Sequence, residues 1–391
     1  MKEWKIEKLG KLVTFSSGGT PSKQNDAYWN GSIPWISAKT MKSDRISTSG
    51  LFISEEGLAN GSKLANEGSL LLLVRGSGLF NGIPICYVES PVAYNQDVKC
   101  INSCSEIENE FIYYWIKANS DFLQAKLDVT GIGAGKFDTK FLADLDVAYP
   151  DKQTRKKIIE FANNITDKLQ VNEAINRNLS EQMISTFKSW FIDFDPFGGE
   201  IPSEWEVLRF EDFITLRNEK SNDDSIPMYA VTDTGIYPRD EKFKKNLSKA
   251  GSTFKVVRKT NLVFGMSREI LNWGILNDEI AGVSSAYTVY AIDSKIKPLY
   301  LEYYIKLRTD YFREIIRLAS REGQGIDRGV LLKKELYVPN KEWMSKFTQL
   351  SKVLLDKIEE VNAENEQLES IRDSLLPKLM SGELDVTDLD A

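Results

Sequence analysis

The sequence contains no histidine. This removes the commonest general base and the commonest metal ligand, and with them any Ser-His-Asp triad. An enzyme built from this chain would need carboxylate or lysine chemistry. Cysteine is nearly as scarce. Cys86, Cys100 and Cys104 are an odd number with no Cys-x-x-Cys pair, a pattern of reduced, buried thiols rather than of a disulfide framework. Long apolar runs are missing too. The longest, Leu70–Val74, reads as a buried strand and falls far short of the roughly 20 residues that cross a bilayer. The N-terminus, MKEWKIEKLG, has no apolar signal core, so the expected location is the cytoplasm, with no membrane association. Basic residues are not in excess: 50 Lys and Arg against 57 Asp and Glu give a net charge of −7. That balance argues against a protein that coats nucleic acid without selectivity, though it leaves room for local basic patches. Part of the acid is set apart in the C-terminal SGELDVTDLDA and in the stretch 356–369.

What the chain does have is an internal repeat. At 391 residues it is long enough for two or three domains, and its second half restates the first at an offset of about 190 to 200 residues. EWKIEKLGKLVTF from Glu3 aligns with EWEVLRFEDFITL from Glu204, pairing Trp4 with Trp205, Leu12 with Phe213 and Thr14 with Thr215. IPWISA from Ile33 meets IPMYAV from Ile226, GSLLLL from Gly68 meets TNLVFG from Thr260, and FIYYWIK meets YLEYYIK. Each half then closes on a proline, Pro150 or Pro339, and a long helical segment follows. Short β-branched and aromatic runs at 68–76 and 284–292 read as strands. Glu110–Ala118 and Leu299–Arg308 have helical spacing. The expectation is an α+β fold in which a globular domain of mixed strands and helices occurs twice.

The two helical segments, expected at about 154–192 and 343–381, carry matching apolar seams that alternate steps of three and four. The first runs Ile158, Ala162, Ile165, Leu169, Asn172, Asn176, Leu179, Met183, Thr186; adding 189 gives Phe347, Ser351, Leu354, Ile358, Val361, Asn365, Leu368, Arg372, Leu375. Such seams pair helices as an antiparallel coiled coil if the halves are related by a pseudo two-fold axis. Ile165, Leu169, Asn176, Leu179, Leu354, Ile358, Asn365 and Leu368 are the expected pairing residues, with Asn176 opposite Asn365. At about 1.5 Å per residue each helix would span roughly 55–60 Å, the length of a spacer.

The segment SSGGTPSKQNDAYWNGSIPWISAKTM, Ser16–Met41, closely resembles the opening of many target-recognition domains of Type I restriction-modification specificity subunits. The matching residues are Gly19, Thr20, Pro21, Tyr28, Trp29, Gly31, Ile33, Pro34 and Trp35. SLLPKLMSGEL, Ser374–Leu384, is similar to the same family's C-terminal conserved helix. The resemblance implies a first recognition domain at 1–150, a spacer helix and linker at 151–197, a second recognition domain at 198–340, and a second spacer helix with an acidic tail at 341–391. It also implies a function. Each domain would read one half of a bipartite double-stranded DNA target, the helices would set the gap, and two methyltransferase subunits with motor-nuclease subunits would supply the chemistry. S-adenosylmethionine, ATP and Mg²⁺ would then belong to the partners, with no cofactor, metal or catalytic residue in this chain. The second half has LRNEKSNDDSIPMY where the first has its Gly-x-Thr-Pro turn, which implies two different half-sites.

Reading DNA needs Arg, Asn or Gln for base edges, and Lys, Arg or small polar groups for phosphates. In the first half the candidates are Thr20, Ser22, Lys23, Gln24 and Asn25 in one turn, Lys39, Lys42 and Arg45 in the next, Arg75 at the end of a strand, and Lys136 in a glycine-rich loop. In the second half they are Arg258, Lys259, Arg268, Arg321, Gln324 and Arg328. The loop TGIGAGK ends at Lys136 without the Ser or Thr and the spacing of a P-loop. Two other classes are weighed against a DNA reader. A single-chain DNA-modifying enzyme would need a methyltransferase or nuclease motif, for which DPFGG at Asp195–Gly199, Pro150-Asp151 and the distant Asp240-Glu241-Lys242 are poor matches. A coiled-coil scaffold that binds no DNA would leave the repeated globular domains without a task.

Overall fold

The computed structural model describes residues 4–131, 133–239, 253–267, 269–316 and 325–386. The chain divides into two compact units, one of residues 1–174 with 361–391 and the other of residues 175–360. Each unit therefore holds one globular region, part of one long helix and part of the other. Among the described residues no helix is long and apolar enough to cross a membrane.

In the first unit the uninterrupted apolar run Leu70–Leu73 is a fully buried strand. It lies inside a five-stranded sheet in the order 13–17, 98–103, 70–73, 85–88, 45–46, antiparallel except for the last pair. A second sheet orders 52–53, 33–36, 92–94 and 63–65, with Trp35, Ile53 and Ala93 at its buried face. The helix Asn109–Ala118 buries Phe111 through Ile116 in the main core. Strand Lys5–Lys8 pairs antiparallel with Asp146–Tyr149, the last strand of the domain. This pairing brings the start of the domain to the point from which the long helix Lys152–Phe191 departs. Asp151 caps that helix by accepting the amides of Gln153 and Thr154; Asp151 thus has a structural task, whatever its Pro-Asp context suggests.

The second unit repeats the plan. Strand Glu206–Arg209 pairs antiparallel with Glu335–Val338, and the helix Lys341–Ser381 follows. Its sheets order 214–217, 288–292, 262–264, 273–275 and 220–221, 254–258, 280–283, with a hairpin at 229–232 and 235–238. The helix Pro298–Leu307 occupies the place of Asn109–Ala118 and starts on a proline, whose missing N–H costs nothing at a first helical position. The match in element order is the internal repeat in three dimensions.

Both long helices show the seam. Every seam position from Ile158 to Thr186 and from Phe347 to Leu375 is buried or half-buried, while most residues between them are exposed. Within the first unit Ile158 and Ala162 share a core with Leu376, Leu379 and Met380. Asn172, further along, donates to Asn365 at 2.8 Å and to Glu364 at 2.8 Å, so the helix segments of this unit run antiparallel. Within the second unit Phe187 and Phe191 meet Phe347, and Trp190 meets Trp343, again antiparallel. The sequence reading set Asn176 against Asn365; the hydrogen bond that reaches Asn365 comes from Asn172, one helical turn earlier. The SGEL turn ends the second long helix on Gly382, whose φ of +75° suits glycine and where a Cβ would come within 2.9 Å of Trp4.

Candidate nucleic-acid interface

In the first unit several candidate residues converge on one edge of the domain. Residues Arg75–Gly76 form the outer strand of a small antiparallel sheet with 135–136 and 128–129. Its register sets Lys136 directly opposite Arg75, although the two are 61 positions apart. Both side chains are exposed, and among the described residues neither has an ion pair. The preceding Val74 ties the edge together: its amide donates to Asp97 at 2.9 Å, and its carbonyl accepts from Phe137 at 2.9 Å. A Cβ on Gly76 would lie 3.8 Å from Ala38, so the turn that bears Lys39 is adjacent. That turn is closed by Thr40, whose hydroxyl bridges the Ser37 amide and carbonyl, leaving Lys39 and Lys42 exposed.

The glycine-rich opening packs against the same edge. A Cβ on Gly18 would fall 2.0 Å from the Tyr94 carbonyl, and the Gly19 amide donates to that carbonyl at 2.9 Å; only glycine permits this approach. Thr20 then donates to Gln96 Oε1 at 2.7 Å. Ser22 accepts the Gln24 amide through its hydroxyl and the Trp29 indole through its carbonyl, and Asn25 caps the short helix that follows. These contacts shape the turn and leave Lys23 and Gln24 exposed. Gln96 is exposed beside them and was missed from the sequence. Its signal was the Asn-Gln-Asp turn between two strands.

Arg45 is placed elsewhere. Its guanidinium binds Asp167 at 2.9 Å, Asn163 at 3.2 Å and Glu89 at 3.6 Å, which fastens the domain to the long helix of its own unit. The loop TGIGAGK is a hairpin turn that closes on itself: the Gly133 and Ala134 amides donate to Thr130, and Thr130 donates back to Ala134. Those amides are not available to cradle a phosphate.

In the second unit Arg258 forms a two-pronged pair with Glu219 at 2.6 and 3.1 Å. This pairing raises the arginine and lowers the carboxyl from their usual pKa ranges. Lys259 pairs with Glu279 at 2.6 Å, which raises the lysine. Both cations are thus paired with carboxylates of their own unit. Arg328 is exposed at the start of a short helix. Arg268, Arg321 and Gln324 lie outside the described residues, as does Asp240-Glu241-Lys242.

A family model described as a Type I restriction modification DNA specificity domain matches residues 1–181. Over 99% of its length the chain is 25% identical to the Type I restriction enzyme MjaIX specificity subunit of Methanocaldococcus jannaschii, 95% of which is covered. A 161-residue stretch, 40% of the chain, is 35% identical to the Type I restriction enzyme EcoR124I/EcoR124II specificity subunit of Escherichia coli and covers 39% of that protein. Among solved structures, the Type I restriction-modification S subunit from M. genitalium matches with a TM-score of 0.54 at 14% identity, over 97% of this chain and 96% of that one. At that identity the match speaks for the fold.

Proposed function

Because the chain belongs to the family of Type I restriction-modification specificity subunits, we propose that its two units each read one half of a split, asymmetric DNA target while carrying no catalytic site. The observation that carries this reading is the edge of the first unit, where Arg75, Lys136 and Lys39 gather beside Thr20, Lys23, Gln24 and Gln96. Arginine and glutamine supply the paired donors and acceptors that distinguish guanine and adenine in the major groove, and the lysines supply phosphate contacts. The two long helices set the gap between half-sites and offer their outer faces to two methyltransferase subunits. Motor-nuclease subunits complete the assembly, and S-adenosylmethionine, ATP and Mg²⁺ are held by these partners.

Selection from randomised duplexes tests the reading. The chain with its methyltransferase subunits should enrich two short motifs at a fixed spacing, and a single contiguous motif would refute the split reader. Incubated without partners, the pure chain should leave DNA unmethylated and uncut in the presence of S-adenosylmethionine, ATP and Mg²⁺. Turnover by the chain alone would refute the absence of a catalytic site.

A further inference from the structure

The two units carry opposite charges at one matched place, and the first unit fills that place from its own chain. There Arg155, in the first turn of the long helix, is buried and donates to Glu108 at 2.8 Å and to the carbonyls of Pro150 and Glu106 at 3.0 and 3.1 Å. Glu106 in turn faces Lys5 at 3.9 Å. At the seam offset of 189, Arg155 becomes Met344, Glu106 becomes Lys295 and Glu108 becomes Lys297. The equivalence is structural as well, because Glu108 and Lys297 are the N-caps of the matching helices Asn109–Ala118 and Pro298–Leu307. Lys5, at the start of its strand, becomes Glu206. Both acids are thus lysines in the second unit, Lys5 is a glutamate, and the central cation is a thioether. What stands there is an open cavity of about 710 Å³, within the range of about 300–1,000 Å³ usual for ligand sites. Val338, Pro339 and Met344 give it an apolar lining, and Lys295, Lys297 and Lys341 line it together with Glu204 and Glu206. The three lysines are exposed, and among the described residues none of them has an ion pair.

We propose that this cavity is a docking site for an acidic segment of a partner protein, bound once per chain. A glutamate or aspartate carboxylate of the segment meets Lys295 and Lys297, and an apolar neighbour packs on Met344. The first unit shows what completes the place: a polypeptide side chain of charge opposite to the wall. Inverting the wall inverts the occupant, from the arginine that the first unit supplies itself to a carboxylate that the second unit receives from outside. A run of phosphates is a poorer fit, since Glu204 and Glu206 share the lining and repel a polyanion; a lone carboxylate among apolar residues needs the lysines alone. Because Arg155 fills the first unit's place, the site occurs once. Its partner is therefore distinct from the two methyltransferase subunits proposed above, which a repeated frame receives in pairs, and the site does not depend on which DNA the units read.

The test is fluorescence anisotropy of a labelled peptide of leucine and glutamate residues, titrated with the full chain, beside the same peptide with lysine in place of each glutamate. The acidic peptide should bind one per chain and the lysine peptide should not bind. Lys295→Ala and Lys297→Ala should each weaken the acidic peptide roughly 2–5-fold, as loss of one exposed charge pair does. Lys152→Ala, at the first unit's counterpart of Lys341, should leave its affinity unchanged. Lys295→Glu with Lys297→Glu gives these exposed positions the first unit's acids, and should release the acidic peptide and take up the lysine one. Lys297→Glu with Met344→Arg rebuilds the pair of Arg155 and Glu108, and should fill the cavity and bind neither. The docking site is overturned if the wild type does not bind the acidic peptide, if it binds two per chain, or if Lys295→Ala and Lys297→Ala bind it as the wild type does. A DNA duplex that displaces the peptide would assign the lysines to nucleic acid, and butyrate binding as tightly as the peptide would make the ligand a small carboxylate; either result also overturns the proposal.

Discussion

The two units build the same junction from opposite chemistries. Where the last strand of the first unit passes into its long helix, Arg155 is buried at 1% exposure. It bonds Glu108 at 2.8 Å and the carbonyls of Pro150 and Glu106 at 3.0 and 3.1 Å, and it lies over the Tyr149 ring. Tyr114, Asn163, Thr166 and Arg45 extend this polar network along the helix. At the corresponding place the second unit has Met344, flanked by Trp343 and Phe347. Its junction is a cluster of rings in which Phe191 meets Phe187, Trp190, Trp205, Tyr300 and Phe347. A repeated fold thus preserves element order and seam while its contacts are rewritten. The globular loops diverge further: equivalent strands are 201 positions apart at Lys5 and Glu206 but 189 apart at Asp146 and Glu335. Divergence in the loops with constancy in the helices suits two readers of different sequences on one frame.

The contrast predicts how each junction breaks. Arg155→Ala would leave the Glu108 carboxylate and two carbonyls facing a void, and should cost about 3–5 kcal/mol, as loss of one partner of a buried ion pair does. Phe191→Ala should cost a similar 3–5 kcal/mol, about what an aromatic cavity costs. Denaturant unfolding measures both. The sharper distinction lies in the rescue variants: Arg155→Met, the residue type the second unit uses, should recover only part of the loss, because Glu108 stays unpaired. Full recovery would mean that the two chemistries are interchangeable. A smaller effect is expected at the seam. Asn172→Ala removes the donor to Glu364 and Asn365 and should cost about 1–3 kcal/mol, again read by denaturant unfolding.

The smallest effect concerns thiols, which occur in the first unit alone. Burial, aided by the Asp44 charge, pushes the Cys86 thiol up to about 12, and burial also raises Cys100, whereas Cys104 is exposed. Since the thiolate is the reactive form, one thiol per chain should alkylate at neutral pH in the native protein. Mass spectrometry should place the label on Cys104. Rapid labelling of Cys86 or Cys100 would contradict the packing described for this unit, and Arg155→Ala should accelerate exactly these two through more frequent opening.

The repeat, the helices and the seams were legible in the sequence because periodicity is local: a spacing of three and four residues is printed along the chain. Pairings between distant residues leave no such trace. Arg45 and Arg258 are DNA-contact candidates by residue type, and nothing local in the sequence announces their pairing with Asp167 and Glu219. Arg75 and Lys136 are separate candidates along the chain, and their adjacency depends on a two-residue strand pairing too short to predict.

Independent reading by the two units is tested by duplex selection repeated with Arg75→Ala in the complex proposed above. Arg75 belongs to the edge of the first unit alone. One half of the selected target should loosen at one or two positions while the other half and the gap stay as in the wild type. Loosening of both halves together would mean that the two units do not read independently.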